Sequence, residues 1–196
     1  MVFRIDEKEK RNPKTDIVIH SWPWSGQQKP LVKIQSAQVV KIRSAATAKE
    51  AQIETHVAPI RRLSAMLLQE VALGFHFCFG TFGGWLAFAP PEIARTVELV
   101  NASTEAAGHR TDWIHIPVLN RADGAFHAPL ARLEPRGARV YLGMIQSMDS
   151  FAQRLATARE FLPDFGLAAY CGFGRTPPAQ LPQILEDHLR AVSIAG

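Results

Sequence analysis

The chain reads as an α/β protein built on parallel strands, and three observations carry that reading. From residue 70 onward, short apolar runs of strand length alternate four times with longer stretches of helical period. Each run is apolar almost without interruption, as in a parallel sheet covered on both faces or closed into a barrel. The residues able to do chemistry, His76, Cys78, His115, Gln146 and Cys171, fall at or just beyond the carboxyl ends of these runs. Ligands sit at that end of parallel-strand folds.

The 196 residues correspond to one or two average domains, and an apolar content of 47% is enough to form a packed core. The net charge of +4 conceals an asymmetry. Residues 1–50 hold ten Lys/Arg against five Asp/Glu, residues 51–196 hold twelve Arg against thirteen Asp/Glu, and all seven lysines lie at or before Lys49. The chain therefore divides into a basic, irregular N-terminal segment, 1–50, and a body, 51–196. A basic arm can bind nucleic acid by neutralising phosphates, but this one carries no visible recognition element and reads as a solvated tail. Residues 1–20 lack the apolar stretch of a secretory signal, and no run is long enough to span a bilayer. Two cysteines far apart do not form a disulfide framework, so a reducing, cytoplasmic setting is expected.

Taken in order, Asp16–His20 has the composition of a short strand, Ser21–Pro30 reads as a loop around Trp22 and Trp24, and Leu31–Ile42 alternates weakly. From Ala45 to Leu68 the spacing of Ile53, Val57, Ile60, Leu63 and Leu67 predicts a helix that Pro59 should interrupt. Leu73–Phe79 is the first strand of the body. Pro90-Pro91-Glu92 opens a helix with Ile93, Val97 and Val100 inward, and Gly108 ends it. Asp112–Val118 is the next strand, followed by a short helix over Asp123–Leu133. Arg139–Ile145 is the third strand, and a helix capped by Asp149 runs to Phe161 with Phe151, Leu155 and Ala158 inward. Phe165–Tyr170 is the fourth strand. The last helix opens at Thr176-Pro177-Pro178, with Leu181, Ile184, Leu185 and Leu189 on its apolar face.

His76 and Cys78 are two residues apart and point to the same side of a strand. An imidazole beside a thiolate is a borderline-soft pair suited to zinc. Cys171, 93 residues after Cys78, ends a second apolar run and is likewise followed by a glycine-rich turn. A buried cysteine next to a satisfied core histidine accounts for the same pair without a metal. The stretch Gly80-Thr81-Phe82-Gly83-Gly84 lacks the Lys-Ser/Thr of a P-loop and reads as a turn that leaves room above the site. Asp112 and Asp123 read as capping or ion-pairing residues, and Met144 and Met148 as core.

Residues from about Glu70 to Ala191 resemble the C-terminal half of the catalytic barrel of cobalamin-independent methionine synthase and related zinc methyltransferases. This barrel superfamily also holds uroporphyrinogen decarboxylase. The resemblance rests on His76-Phe77-Cys78 at one strand end, on Cys171-Gly172-Phe173-Gly174-Arg175 at another, and on Val140–Ser147 running into a polar loop between them. It implies a partial TIM-type (β/α) barrel of four βα units, zinc held by His76, Cys78 and Cys171, and transfer of a methyl group to a zinc-activated thiol such as homocysteine. Arg175 and Gln146 would then contact substrate.

The sequence departs from the family in two ways. Where the family supplies a glutamate ligand, Pro117 stands at about that place; His115, two residues earlier on the same strand face, is the substitute, and Glu98 the poorer alternative. A complete eight-stranded barrel takes ~250 residues, and residues 1–69 are too few for the missing half. A homodimer or a partner chain completing the barrel is therefore expected. A non-catalytic assembly domain and a decarboxylase-like barrel without this metal set stand as alternatives.

Overall fold

In the computed structural model of the chain, residues 17–21, 45–80, 89–171 and 176–196 are described. Five strands, β1 (Ile17–Ser21), β2 (Leu73–Phe77), β3 (Trp113–Pro117), β4 (Arg139–Ile145) and β5 (Gly166–Ala169), form one sheet. Every neighbouring pair is parallel, and the order across the sheet is the order in the sequence. The helices between and after them are α1 (Ala45–Ser64), α2 (Ala94–Ala106), α3 (Gly124–His127, continued by a 3-10 turn to Arg132), α4 (Phe151–Phe161) and α5 (Leu181–Ala195). The architecture is thus α/β, with parallel strands alternating with helices. No described helix is long and apolar enough to cross a membrane.

Parallel strands that follow one another in sequence need crossovers, and right-handed crossovers in a monotone order bring all helices to one face. The burial pattern agrees. Leu73, Phe75 and Phe77 of β2, Ile114 and Ile116 of β3, Val140, Leu142 and Met144 of β4 and Ala169 of β5 form one cluster with Ile60, Val97, Val100, Phe126, Phe151, Leu155, Ala158 and Ala191 from the five helices. The expected inward residues of α2 and α4 are all buried. Alternate strand positions, among them His76, Trp113, His115 and Tyr141, face the other way.

On that second face, rings lie over glycines. A Cβ on Gly74 would stand 1.9 Å from the Trp113 ring, one on Gly166 would stand 2.5 Å from Tyr141, and one on Gly143 would stand 2.8 Å from Nε2 of His115. Each glycine gives up a side chain so that a ring from the next strand can cross it.

Several expectations shift. The N-terminal boundary at residue 50 falls within α1, and β1 pairs with β2 in the register Ile19↔Phe75 and His20↔His76, so β2 is an interior strand and not an edge. Pro59 does not interrupt α1; Val57 and Ile60 on either side are buried, and that burial offsets the lost backbone bond. Asp149 does not cap α4. The N-cap is Ser150, with φ 52°, and no side chain bonds the first turn. The largest change is in α5. Leu181, Leu185 and Leu189 are exposed, together with Val192, and the helix lies on Ala191 with Ile184 half-buried beside it. The buried side of α5 thus runs through Ala191, and the leucines lie on its outer side. The loop at residues 22–30, the alternating run at 31–42, the turn at 81–84 and Arg175 lie outside the described residues.

Candidate metal centre

Two strand ends deliver the cluster. His76 is the fourth residue of β2, Cys78 follows the strand directly, and Cys171 lies just past β5. One ligand atom from each of His76, Cys78 and Cys171 lies within 4.8 Å of the others, an arrangement that could hold a metal ion. His76 and Cys78 are buried and Cys171 is half-buried. β3 and β4 separate the two strands, and at ~4.8 Å per strand a flat sheet would hold their ends about 14 Å apart. The ligand atoms lie far closer together than that, with both cysteines just beyond the ends of their strands.

The donor set fits a tetrahedral metal. Zinc–sulfur bonds of ~2.3 Å and zinc–nitrogen bonds of ~2.0–2.1 Å need ligand atoms somewhat under 4 Å apart, within reach of the observed grouping by small side-chain rotations. Three protein ligands would leave the fourth position of the tetrahedron for water or substrate.

The electrostatics favour thiolate. Cys78 is lowered from its ordinary value of 9.0 to about 5, first by the hydrogen bond from Cys171, then by His76 and by the backbone N–H of Gly80; burial works in the opposite direction. The Gly80 N–H donates to Cys78 Sγ at 3.2 Å. Gly80 has φ 88°, a left-handed conformation that glycine adopts without strain and that turns its N–H back onto the sulfur.

His115 is brought to the centre but not into the ligand group. Its Nδ1 lies 2.5 Å from Nδ1 of His76, and its Nε2 lies 3.0 Å from the carbonyl oxygen of Ala169. The two rings have centroids 4.7 Å apart and planes within 19° of parallel. His115 thus stands as a hydrogen-bond partner of His76, outside the group of three. Pro117 pairs with Gly143 one step further along.

Gln146, expected at substrate, turns back into the fold. Its side-chain amide donates to the carbonyls of Val118 and Gly143, which ties the loop after β4 to the end of β3. Asp112 sits at the opposite end of the sheet, accepting from the Leu73 N–H at 2.9 Å and pairing with Arg110 at 2.7 Å. Asp123 caps α3 through the Phe126 N–H and pairs with Arg121. Glu98 pairs with Lys49 on the outside of α2. Gly143 and the Ala169 carbonyl had no place in the expected site. An isolated glycine inside a strand is the one signal that could have marked Gly143.

Comparison with family models, with curated proteins and with solved structures found no match for this chain.

Proposed function

We propose that the chain binds zinc through His76, Cys78 and Cys171 and transfers a methyl group to a substrate thiol such as homocysteine, in the manner of the methionine synthase-like methyltransferases. The observation that carries this reading is the convergence of one imidazole and two thiols from distant strand ends. A nitrogen and two sulfurs are soft donors that select zinc over hard cations, and a three-ligand site with one open position is the pattern of catalytic rather than structural zinc. Zinc, when bound, would lower the pKa of a substrate thiol so that it is held as thiolate near neutral pH.

The chain's own residues would hold the Cys78 sulfur as thiolate at the strand end, with Cys171, His76 and the Gly80 N–H as its hydrogen-bond partners. In the transfer, the new sulfur–carbon bond forms as the carbon–heteroatom bond of the methyl donor breaks, and the bonding pair leaves with the donor. No general base is required, because the attacking sulfur has already lost its proton.

The partial TIM-type barrel belongs to the same proposal. Consecutive parallel strands with helices on one face and the metal at the carboxyl ends match the plan of such a barrel. The remaining wall would come from a second copy or a partner chain. A second reading, a non-catalytic assembly domain, draws on the exposed row Leu181, Leu185, Leu189 and Val192 of α5, an apolar surface of the kind that marks interaction sites.

The test is metal content and thiol alkylation on the purified full chain. About one zinc per chain is expected, lost in a Cys78→Ser, Cys171→Ser double variant. Zinc-dependent methylation of homocysteine, with methyl iodide as a minimal donor, should vanish in the same variant. Stoichiometric zinc in the double variant overturns the ligand assignment. Zinc binding without alkylation supports the assembly reading.

A further inference from the structure

A metal-ligating imidazole needs its second nitrogen engaged, because that bond selects the tautomer and holds the ring in place. In this fold the partner is another imidazole. The carbonyl of Ala169 can only accept, so Nε2 of His115 carries the proton in that 3.0 Å contact. A neutral His115 protonated at Nε2 has a lone pair at Nδ1. The 2.5 Å contact between the two Nδ1 atoms then requires Nδ1 of His76 to donate. Nε2 becomes the nitrogen with which His76 would meet a metal. His115 reaches the β5 carbonyl only by crossing β4 at Gly143, where a Cβ would stand 2.8 Å from its Nε2, 3.0 Å from the Ala169 oxygen and 3.1 Å from Cα of Pro117.

We infer that His115 is a positioning residue for the metal centre: it holds a proton of His76 on Nδ1, which leaves Nε2 as the nitrogen on the side of Cys78 and Cys171, and is itself clamped to β5 across the notch left by Gly143. This deepens the zinc reading and rests on it for its consequence, although the tautomer itself is a property of the metal-free chain. Ala169 lies two residues before Cys171, so the strand that clamps His115 also delivers the third ligand. His76, His115 and the Ala169 carbonyl link β2 to β5 by way of β3, and Cys78 and Cys171 bring together the ends of the same two outer strands of the route.

The experiment has a metal-free arm and a metal-loaded arm. In the metal-free full chain, long-range ¹H–¹⁵N correlation of the histidine rings should show His76 protonated at Nδ1 and His115 at Nε2. In His115→Phe, which removes the acceptor, His76 should pass to a mixed population or to the Nε2–H form. His115→Gln retains a carbonyl to accept from His76 and an N–H to donate to Ala169, and should keep the His76 tautomer. Gly143→Ala touches none of the three ligands, and should disturb the tautomer by displacing His115.

In the loaded arm, zinc affinity measured by chelator competition should fall roughly 10–100-fold in His115→Phe, the usual effect of losing a hydrogen-bond partner of a ligand, and should be largely restored in His115→Gln. The cobalt-substituted chain should retain its nitrogen–sulfur ligand set in every folded variant. No proton at Nδ1 of His76 in the parent chain, an unchanged Nδ1 protonation of His76 in His115→Phe, or loss of a nitrogen ligand from cobalt in His115→Gln each overturn the inference. Should the parent chain bind no zinc while the tautomers behave as stated, the zinc reading fails and the positioning of His76 by His115 stands.

Discussion

Cys78 is the residue at which burial and hydrogen bonding pull in opposite directions. An apolar strand end raises a thiol, yet the partners Cys171, His76 and the Gly80 N–H hold Cys78 down at about 5. In the metal-free chain a thiolate absorbance near 240 nm should therefore titrate with a midpoint around pH 5 and be absent in Cys78→Ser. Cys171→Ser should move the midpoint upward if the serine bonds more weakly, since Cys171 is the largest lowering influence. The sign of the linked stability follows. The folded value lies below the ordinary 9.0, so the unfolded chain binds the extra proton between these limits. Stability of the metal-free chain from this group is fully present above pH 9, declines as pH falls, and is gone below about 5. Denaturant midpoints of parent and Cys78→Ser across that window measure it, and equal pH slopes would count against a depressed thiol.

At the scale of elements, two contacts hold the sheet ends in place. Arg154 on α4 is 1% exposed and makes no ion pair among the described residues. It donates to the carbonyls of Met144, at 2.9 Å, and of Ser147, and lies over the Phe151 ring, so a single guanidinium satisfies the loop that leaves β4. Burial lowers its pKa, and Asp149 opposes that shift. Arg154→Met keeps much of the volume but strands two buried carbonyls. A loss of about 2–4 kcal/mol is expected, one to two unsatisfied groups' worth, read from urea unfolding. On the opposite face, Gly74→Ala drives a Cβ into the Trp113 indole. It should destabilise by roughly 1–3 kcal/mol through overpacking and change Trp113 fluorescence. A neutral Gly74→Ala would mean that the ring does not lie across β2.

For the whole molecule, the sheet has β1 and β5 at its margins among the described residues, and α5 beside β5 displays Leu185 at 63%, Leu189 at 74% and Val192 at 60% exposure. Unpaired strand margins and an exposed apolar helix row next to one another are places where chains associate. The chain should sediment as a dimer at micromolar concentration. Leu185→Lys, Leu189→Lys should shift it toward monomer while leaving zinc stoichiometry unchanged, because neither residue belongs to the ligand group. A monomeric parent chain that unfolds cooperatively would exclude association through this face.

The order of elements was readable in the sequence because each parallel strand is a continuous apolar run and each helix repeats at three- and four-residue spacing; β4 was legible to the residue, Arg139–Ile145. The cluster of His76, Cys78 and Cys171 was legible too, because soft ligand types at strand ends are chemically distinctive. Three things were decided only by tertiary structure. Which face of α5 is buried is set by what the helix packs against, and there Ala191 is the buried residue; the periodicity of Leu181, Ile184, Leu185 and Leu189 does not encode that partner. Whether β2 is an edge depends on its pairing with a strand from the N-terminal segment, a contact across more than fifty residues. The contacts of His115 depend on what stands within hydrogen-bond reach of each ring nitrogen: the missing side chain of Gly143 lets it reach the carbonyl of Ala169 while its other nitrogen meets His76. Local pattern sets what a residue can do, and the pairing of the strands sets which partner it meets.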